Sequence, residues 1–588
     1  MKVSKNPHLW FCLFIGLLSL CCLIYFDCRK TGFHVDEIYS YGLSNSEYCS
    51  FISYGERDYT VRDWMHDYGT GSNPVEFFRN LVSDFKILNA NDFKLKSTTI
   101  YADYLRASAN NHITNQQSTW VDGSVYRDYL TATEDSRFNF VSVYYNQRGD
   151  VHPPLYYMLL HLVCSFFPGV FTKWLGLGLN LIIMALSLVA FYRLVCKVFT
   201  DRRQSDLAFA LYALSTGFMS TGLYIRMYCL SALFAILLLS MHFTMLKTGH
   251  LGNVKGKLIA VTLAGYLTHY YFVLYVALIA IYTVIFFLRK KNPKDALRYA
   301  LSYLIAAIIG LILWPFSVKH VFSGSLGFAG VDTSVFYPFD QLYLYICTLA
   351  RNFLCGCVPL LYVFLALTLV LIVLWILHKK GEHLERLLFL LLPALLYTIL
   401  DAKLAGHAYG RYIMNIFPAF AILLIMVLTY LLRECCTLIG NLKRRPLSRK
   451  LETALISLLG ILMVLLACPL WRNPEYTIGG TQDTVTIAKG CDCVFVLPDY
   501  DWNESSYELT ILKDCNRIGL VYESTIWNLS DTYTGTEEAP LCIAFLNGMD
   551  EDSIIAEVAE ALGLSDVTVT ACQSDNIATY VLVDYARP

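Results

Sequence analysis

Between Lys257 and Arg289 the chain runs for 31 residues without a formal charge. Folded as one helix, that stretch would reach roughly 46 Å, too long for one upright crossing of a hydrocarbon layer about 30 Å thick and slightly short for two. The flanking charges decide between these. Lys247, Lys255 and Lys257 precede the run, and Arg289, Lys290, Lys291 and Lys294 follow it. Keeping both groups on one face of a membrane requires an even number of crossings, so a tight hairpin turning near His269 is expected. Nine further apolar runs, at 9–26, 174–192, 207–224, 227–246, 299–318, 358–377, 387–400, 412–432 and 454–470, bring the expected total to eleven spans. Only 16% of residues are charged, against about a quarter in a soluble domain, and mean hydropathy is +0.47. A soluble globular enzyme and a disordered chain are both excluded.

With eleven spans, every strongly basic short loop (193–203, 379–386, 433–450) falls on the cytoplasmic side, while the long first loop and the tail face out. The expected location is the plasma membrane, with a cytoplasmic N-terminus. Run 9–26 follows Lys2 and Lys5, lacks a small-residue cleavage site and is expected to act as an uncleaved anchor. Four segments follow: the anchor at 1–27, an outer loop at 28–152, a multi-helix membrane body at 153–470 and an extracytoplasmic domain at 471–588. The apolar stretch 155–167 is too short to cross and is expected to be half-inserted. Within the outer loop, residues 75–88 place Phe77, Phe78, Leu81 and Phe85 on one helical face, as an amphipathic helix on a bilayer would. A loop of such length is usually functional, here as a lid or platform.

Residues 471–588 hold 20 acidic and 5 basic side chains, a net −15 that leaves the remainder at +14. Strand-like runs at 493–497, 518–522, 541–546, 567–571 and 577–583, with a helix at 552–562 ending at Gly563, read as a small α/β domain. It carries no phosphate loop and no nucleophile elbow, so no chemistry is assigned to it. The nineteen cysteines form no metal motif, and one or two disulfides at most are expected in the tail.

Chemistry-bearing residues gather where the chain meets the outer membrane surface. His34-Val-Asp36-Glu37 stands just past the first span. A partly buried carboxylate with a second acid beside it holds a proton more tightly, which suits a general base; the bland alternative is a solvated acidic loop. Asp150-Val-His152-Pro153-Pro154 fixes the approach of the outer loop to the next helix, because two prolines cannot both continue a preceding one. Arg226 (in Tyr224-Ile-Arg226-Met-Tyr228), His269 (in Thr268-His269-Tyr270-Tyr271) and Arg411 (in Tyr409-Gly-Arg411-Tyr412) sit at ends of spans. One such arginine would be read as snorkelling. Three sites, each flanked by tyrosine and all on the same expected face, point to an anion such as a phosphate headgroup.

A first span followed by Asp-Glu, a long outer loop ending in His-Pro-Pro-Leu-Tyr-Tyr, then Arg-Met-Tyr, His-Tyr-Tyr and a late Arg-Tyr with Pro418 downstream resembles the GT-C superfamily of polytopic glycosyltransferases. The likeness is to the branch holding protein O-mannosyltransferases and aminoarabinose transferases, and it covers residues 9–432. It implies an all-α polytopic membrane protein of about eleven spans plus a half-inserted helix, followed by the α/β domain. It also implies sugar transfer from a polyprenyl-phosphate carrier to an acceptor (protein, wall polymer or lipid) on the outer face. Asp36, with Glu37 beside it, would carry catalysis. His152, Arg226, Tyr228, His269, Tyr270 and Arg411 would bind the donor phosphate. Where many relatives have an acid two residues before the Arg of Arg-Met-Tyr, this chain has Tyr224, which weakens any second acidic or metal-binding role there. The residues specify no cofactor and leave a divalent metal open. The rival from another class is a lipid or solute transporter or flippase, disfavoured because no internal repeat is present and the charges gather on one face.

Overall fold

The computed structural model describes residues 7–50, 119–322, 337–405, 409–442, 448–479, 485–499, 507–531 and 539–586; the amphipathic segment expected at 75–88 lies outside them. The chain forms two compact units. The first comprises Met1–Arg29, Val151–Tyr156 and Leu177–Thr477, and the second Lys30–Asp150, Tyr157–Gly176 and Ile478–Pro588.

Among the described residues, nine helices are long and apolar enough to cross a membrane: Pro7–Arg29, Lys173–Val198, Tyr228–Thr248, Tyr270–Arg289, Pro293–Leu313, Val358–Leu377, Gly381–Leu404, Gly410–Asn441 and Arg449–Ala467. Leu304, Ile308 and Ile312 recur at helical spacing on an outward face and stay exposed, as do Ile182, Leu186 and Val189. Such stripes suit hydrocarbon rather than water as the surrounding solvent, and the chain is an integral membrane protein.

Two of the eleven expected spans take another form. Run 207–224 is split into helices Arg202–Ala213 and Thr216–Leu223, because the Ser215 side chain accepts from the Phe218 N–H at 3.0 Å and caps a new helix. The long uncharged run does turn at His269, between helices Lys255–Tyr266 and Tyr270–Arg289. Its first arm has 12 residues, about 18 Å, short of a full crossing. At one end of this hairpin the Tyr266 hydroxyl donates to Ser317 Oγ at 2.6 Å. At the other, the Leu251 N–H donates to Asp295 Oδ2 at 3.1 Å and Asn292 Nδ2 to the Gly249 carbonyl at 3.3 Å. The basic residues flanking the run therefore share one end.

Ion pairs gather the other basic loops at that end of the first unit: Arg433 with Asp201 at 2.6 Å, Lys290 with Glu385 at 3.6 Å, and Lys380 with Glu434. The opposite helix ends carry the turn at 267–269, the break at 224–227 and the short 3-10 stretch Gly410–Ile416. Those three places hold the cationic residues singled out in the sequence.

In the second unit six strands form one sheet in the order β1-β3-β2-β4-β6-β5. They are β1 (Thr119–Asp122), β2 (Asp492–Leu497), β3 (Arg517–Tyr522), β4 (Leu541–Leu546), β5 (Ser565–Ser574) and β6 (Ala578–Ala586). Strands β2, β3 and β4 run parallel; the others are antiparallel to their neighbours. Strands β2 and β4 are buried at every position, as expected of central parallel strands covered on both faces. Strand β1 comes from the first loop, far from the tail in sequence, and brings Trp120 to the core of Val494, Val496, Ile543, Phe545 and Val581.

The tail cysteines Cys491, Cys493, Cys515, Cys542 and Cys572 are free thiols, so the tail disulfides expected from the sequence do not form. Cys493 and Cys542 face each other on β2 and β4, and Cys491 and Cys515 are likewise buried. They fill the core as small apolar groups.

Glu508 is fully buried beside this sheet, and the Tyr580 hydroxyl donates to its Oε2 at 2.5 Å. Burial, reinforced by the nearby charge of Asp575, pushes its pKa up from 4.5 to about 8. The protonated carboxyl is therefore the form favoured by the fold. Its stabilisation is complete below about pH 4.5, declines as pH rises and is lost above about pH 8. Hydrogen exchange of β2 and β6 amides in the full chain, corrected for intrinsic rates, should show this unit loosening between pH 5 and 8, and Glu508→Gln should flatten that dependence.

Candidate functional site

In the first unit, helix Thr216–Leu223 ends and helix Tyr228–Thr248 begins with a break between them that exposes main-chain carbonyls. Asn180, fully buried, closes the break: its Nδ2 donates to the Gly222 and Tyr224 carbonyls at 2.9 and 2.7 Å, and the Tyr156 hydroxyl donates to its Oδ1 at 2.8 Å. This amide satisfies groups that would each cost about 1–3 kcal/mol if left unpaired in a dry interior. It thereby fixes the bend on which Arg226 sits. Nothing in the sequence around Asn180 marks it, since a single amide in an apolar run also reads as helix-to-helix glue.

His269 caps helix Tyr270–Arg289, its Nδ1 accepting from the Tyr271 N–H at 3.1 Å. A neutral ring bonded this way carries its proton on Nε2 and has that donor to offer. Burial first, then His152, Arg226 and Arg411, holds its pKa well below the usual histidine value. All four groups predicted from separate motifs thus converge. The rings of His152 and His269 lie 6.0 Å apart, and those of Tyr228 and His269 5.1 Å apart. His152 is brought there by the two prolines and by the Leu155 N–H, which donates to the Leu267 carbonyl of the hairpin turn at 2.9 Å.

Arg411 lies in the stretch Gly410–Ile416, which packs so closely that a Cβ on Gly410 would stand 2.6 Å from Thr348 Oγ1. Its guanidinium carbon is 3.9 Å from the Tyr409 ring centre, 5.6 Å from Tyr412 and 5.8 Å from Tyr224. Tyr271 and Tyr412 pack at 4.8 Å, and the Tyr397 hydroxyl holds the Tyr412 carbonyl at 2.6 Å. Two buried guanidinium groups and one neutral imidazole donor, walled by tyrosine, form a cationic cluster whose chemistry suits an anion, since charge is poorly screened there. Tyr270 is placed differently: its hydroxyl takes a hydrogen bond from Trp314 Nε1 at 2.7 Å and meets His320 Nδ1 at 2.9 Å. Tyr271, not singled out in the sequence, is the ring beside His269 and Tyr412.

In the second unit, His34 starts helix Val35–Asn45 with a capping box: its Nδ1 accepts from the Asp36 N–H at 3.2 Å, and its own N–H donates to Glu37 Oε2 at 2.8 Å. The two adjacent acids have different surroundings. Glu37 is fully buried and paired with Lys30 Nζ at 3.1 Å, both side chains having no exposure. The Asp36 side chain keeps 18% exposure, with His34 Nδ1 3.7 Å from Oδ2. Of the two, Asp36 is the acid whose side chain is open to its surroundings. Among the described residues, no group of three or more His, Cys, Asp or Glu is arranged to hold a metal ion.

The two units thus make an integral membrane protein with a buried cationic cluster at the end of the bundle opposite its basic loops, and a partly exposed aspartate on a helix start. No family model and no curated protein matches the sequence. The chain is similar to crystal structures of ArnT from Cupriavidus metallidurans, in the apo state (TM-score 0.41) and bound to undecaprenyl phosphate (TM-score 0.45). Each alignment has 12% identity and covers 80% of this chain and 94% of the other.

Proposed function

We propose that the protein is a GT-C type glycosyltransferase that moves a sugar from a polyprenyl-phosphate carrier to an acceptor at the outer face of the plasma membrane. The observation that carries this reading is the convergence of Arg226, Arg411 and His269, buried and ringed by tyrosine, at one end of the membrane bundle. The basic loops at the opposite end support a cytoplasmic location for that end and an exterior one for the cluster. The motif order from Asp36 to Arg411 supports the same class.

Asp36 takes the acceptor hydroxyl proton. The acceptor oxygen attacks the anomeric carbon from the face opposite the phosphate, the carbon–oxygen bond to phosphate breaks, and the carrier phosphate leaves with that electron pair. A phosphate departs without being protonated, so one carboxylate base and fixed cations suffice for an inverting displacement. Arg226 and Arg411 stabilise the growing negative charge, and His269 adds a neutral donor.

Arg226→Ala and Arg411→Ala should each weaken carrier-phosphate binding by about 1.5–3 kcal/mol, or roughly 10–100-fold. Titration of undecaprenyl phosphate into purified protein checks this, and unchanged affinity in both variants removes the phosphate assignment. Release of radiolabelled sugar from a polyprenyl-phosphate sugar distinguishes transfer from transport.

A further inference from the structure

Tyr476 adopts a left-handed backbone, with φ +65°. That region is unfavourable for a bulky side chain and is normally left to glycine, so the surrounding structure must hold it there. Three contacts hold its turn. The Glu475 carboxylate meets Arg351 Nε at 3.2 Å, the Glu475 N–H donates to Ser220 Oγ at 3.0 Å, and the Thr477 hydroxyl donates to the Pro474 carbonyl at 2.8 Å. Ser220 lies on the helix that leads directly into Tyr224 and Arg226.

The conformation lays the Tyr476 ring flat on Tyr224, with centres 3.9 Å apart and planes 12° from parallel. Tyr224 in turn stacks with Tyr228 at 5.7 Å and 16°, and Tyr228 packs against His269. Arg411 faces the same Tyr224 ring. Without Tyr476, one face of Tyr224 would lose its support, and the ring would no longer be a fixed wall for the guanidinium.

We propose that Tyr476 is a positioning residue for the donor site, its strained turn serving to seat a ring that orients Tyr224 and, through it, Arg411. This rests on the donor-phosphate reading above.

Three variants separate a seated ring from a merely structural turn. Tyr476→Gly relaxes the left-handed backbone but removes the ring, Tyr476→Ala removes the ring and keeps the strain, and Tyr476→Phe keeps the ring. Titration of undecaprenyl phosphate into the full chain should show about tenfold weaker binding for the Gly and Ala variants and near-normal binding for Phe. Because Arg411 also stabilises the charge that grows on the departing phosphate, turnover at saturating donor should fall too, so KM and kcat both move in the Gly and Ala variants and neither moves in Phe. Wild-type affinity in Tyr476→Gly, with Arg411→Ala weakened in the same assay, overturns the positioning role alone. Wild-type affinity in Arg411→Ala overturns the phosphate reading and this inference together. Tyr476→Gly relieves the backbone strain, and a melting curve close to the parent's makes it the deciding variant even if Tyr476→Ala fails to fold.

Discussion

Asp36→Asn is expected to lower transfer by about 10²–10⁴-fold, the usual contribution of a positioned general base, without loosening the fold. The two side chains are nearly the same size. Two hydrogen bonds at this residue run through its backbone: its N–H donates to His34 Nδ1, and its carbonyl accepts from Ser40 Oγ. An amide cannot take the acceptor proton, so kcat falls while thermal stability and carrier affinity stay near those of the parent. Single-turnover kinetics alongside a melting curve give the answer, and full activity in the variant would remove Asp36 as the base.

Glu37→Gln, one residue along, should behave in the opposite way. Its partner Lys30 is completely buried, so neutralising Glu37 takes a countercharge from an ammonium held away from water. Breaking a buried pair from one side costs about 3–5 kcal/mol, most of it the penalty for the stranded charge. The loss should show as a lowered melting temperature. Replacing both partners together, as Lys30→Met with Glu37→Leu, should recover much of it, because an apolar pair has no charge to desolvate. Protein that remains folded should keep most of its turnover, which would assign Glu37 to holding the Asp36 helix. If Glu37→Gln melts like the parent but loses transfer, Glu37 is itself catalytic.

The sequence reading set these two acids side by side as one feature, and nothing local separates them. Their difference comes from Lys30, seven residues earlier, which falls at the end of an apolar run and reads as an ordinary flanking cation. The cationic cluster was more legible. His152, Arg226, His269 and Arg411 each stand at a helix end beside aromatic residues, a pattern that a membrane imposes locally. Asn180 and Tyr476 were not legible, because their roles depend on which backbone carbonyls and which ring face pack against them.

Hydrophobic run length and the placement of basic residues were enough to determine the membrane-spanning character of the chain, the hairpin turning at His269, the gathering of basic loops at one end and the strands of the tail. These properties depend on the solvent each short segment prefers, which its own residues decide. Tertiary structure alone decided that Thr119–Asp122 completes the tail's sheet, that Ser215 splits an expected span, that the tail thiols stay unpaired and that Tyr271 rather than Tyr270 lies against His269. Each of those outcomes turns on contacts between segments far apart in the chain, where packing and the need to satisfy buried polar groups override local preference.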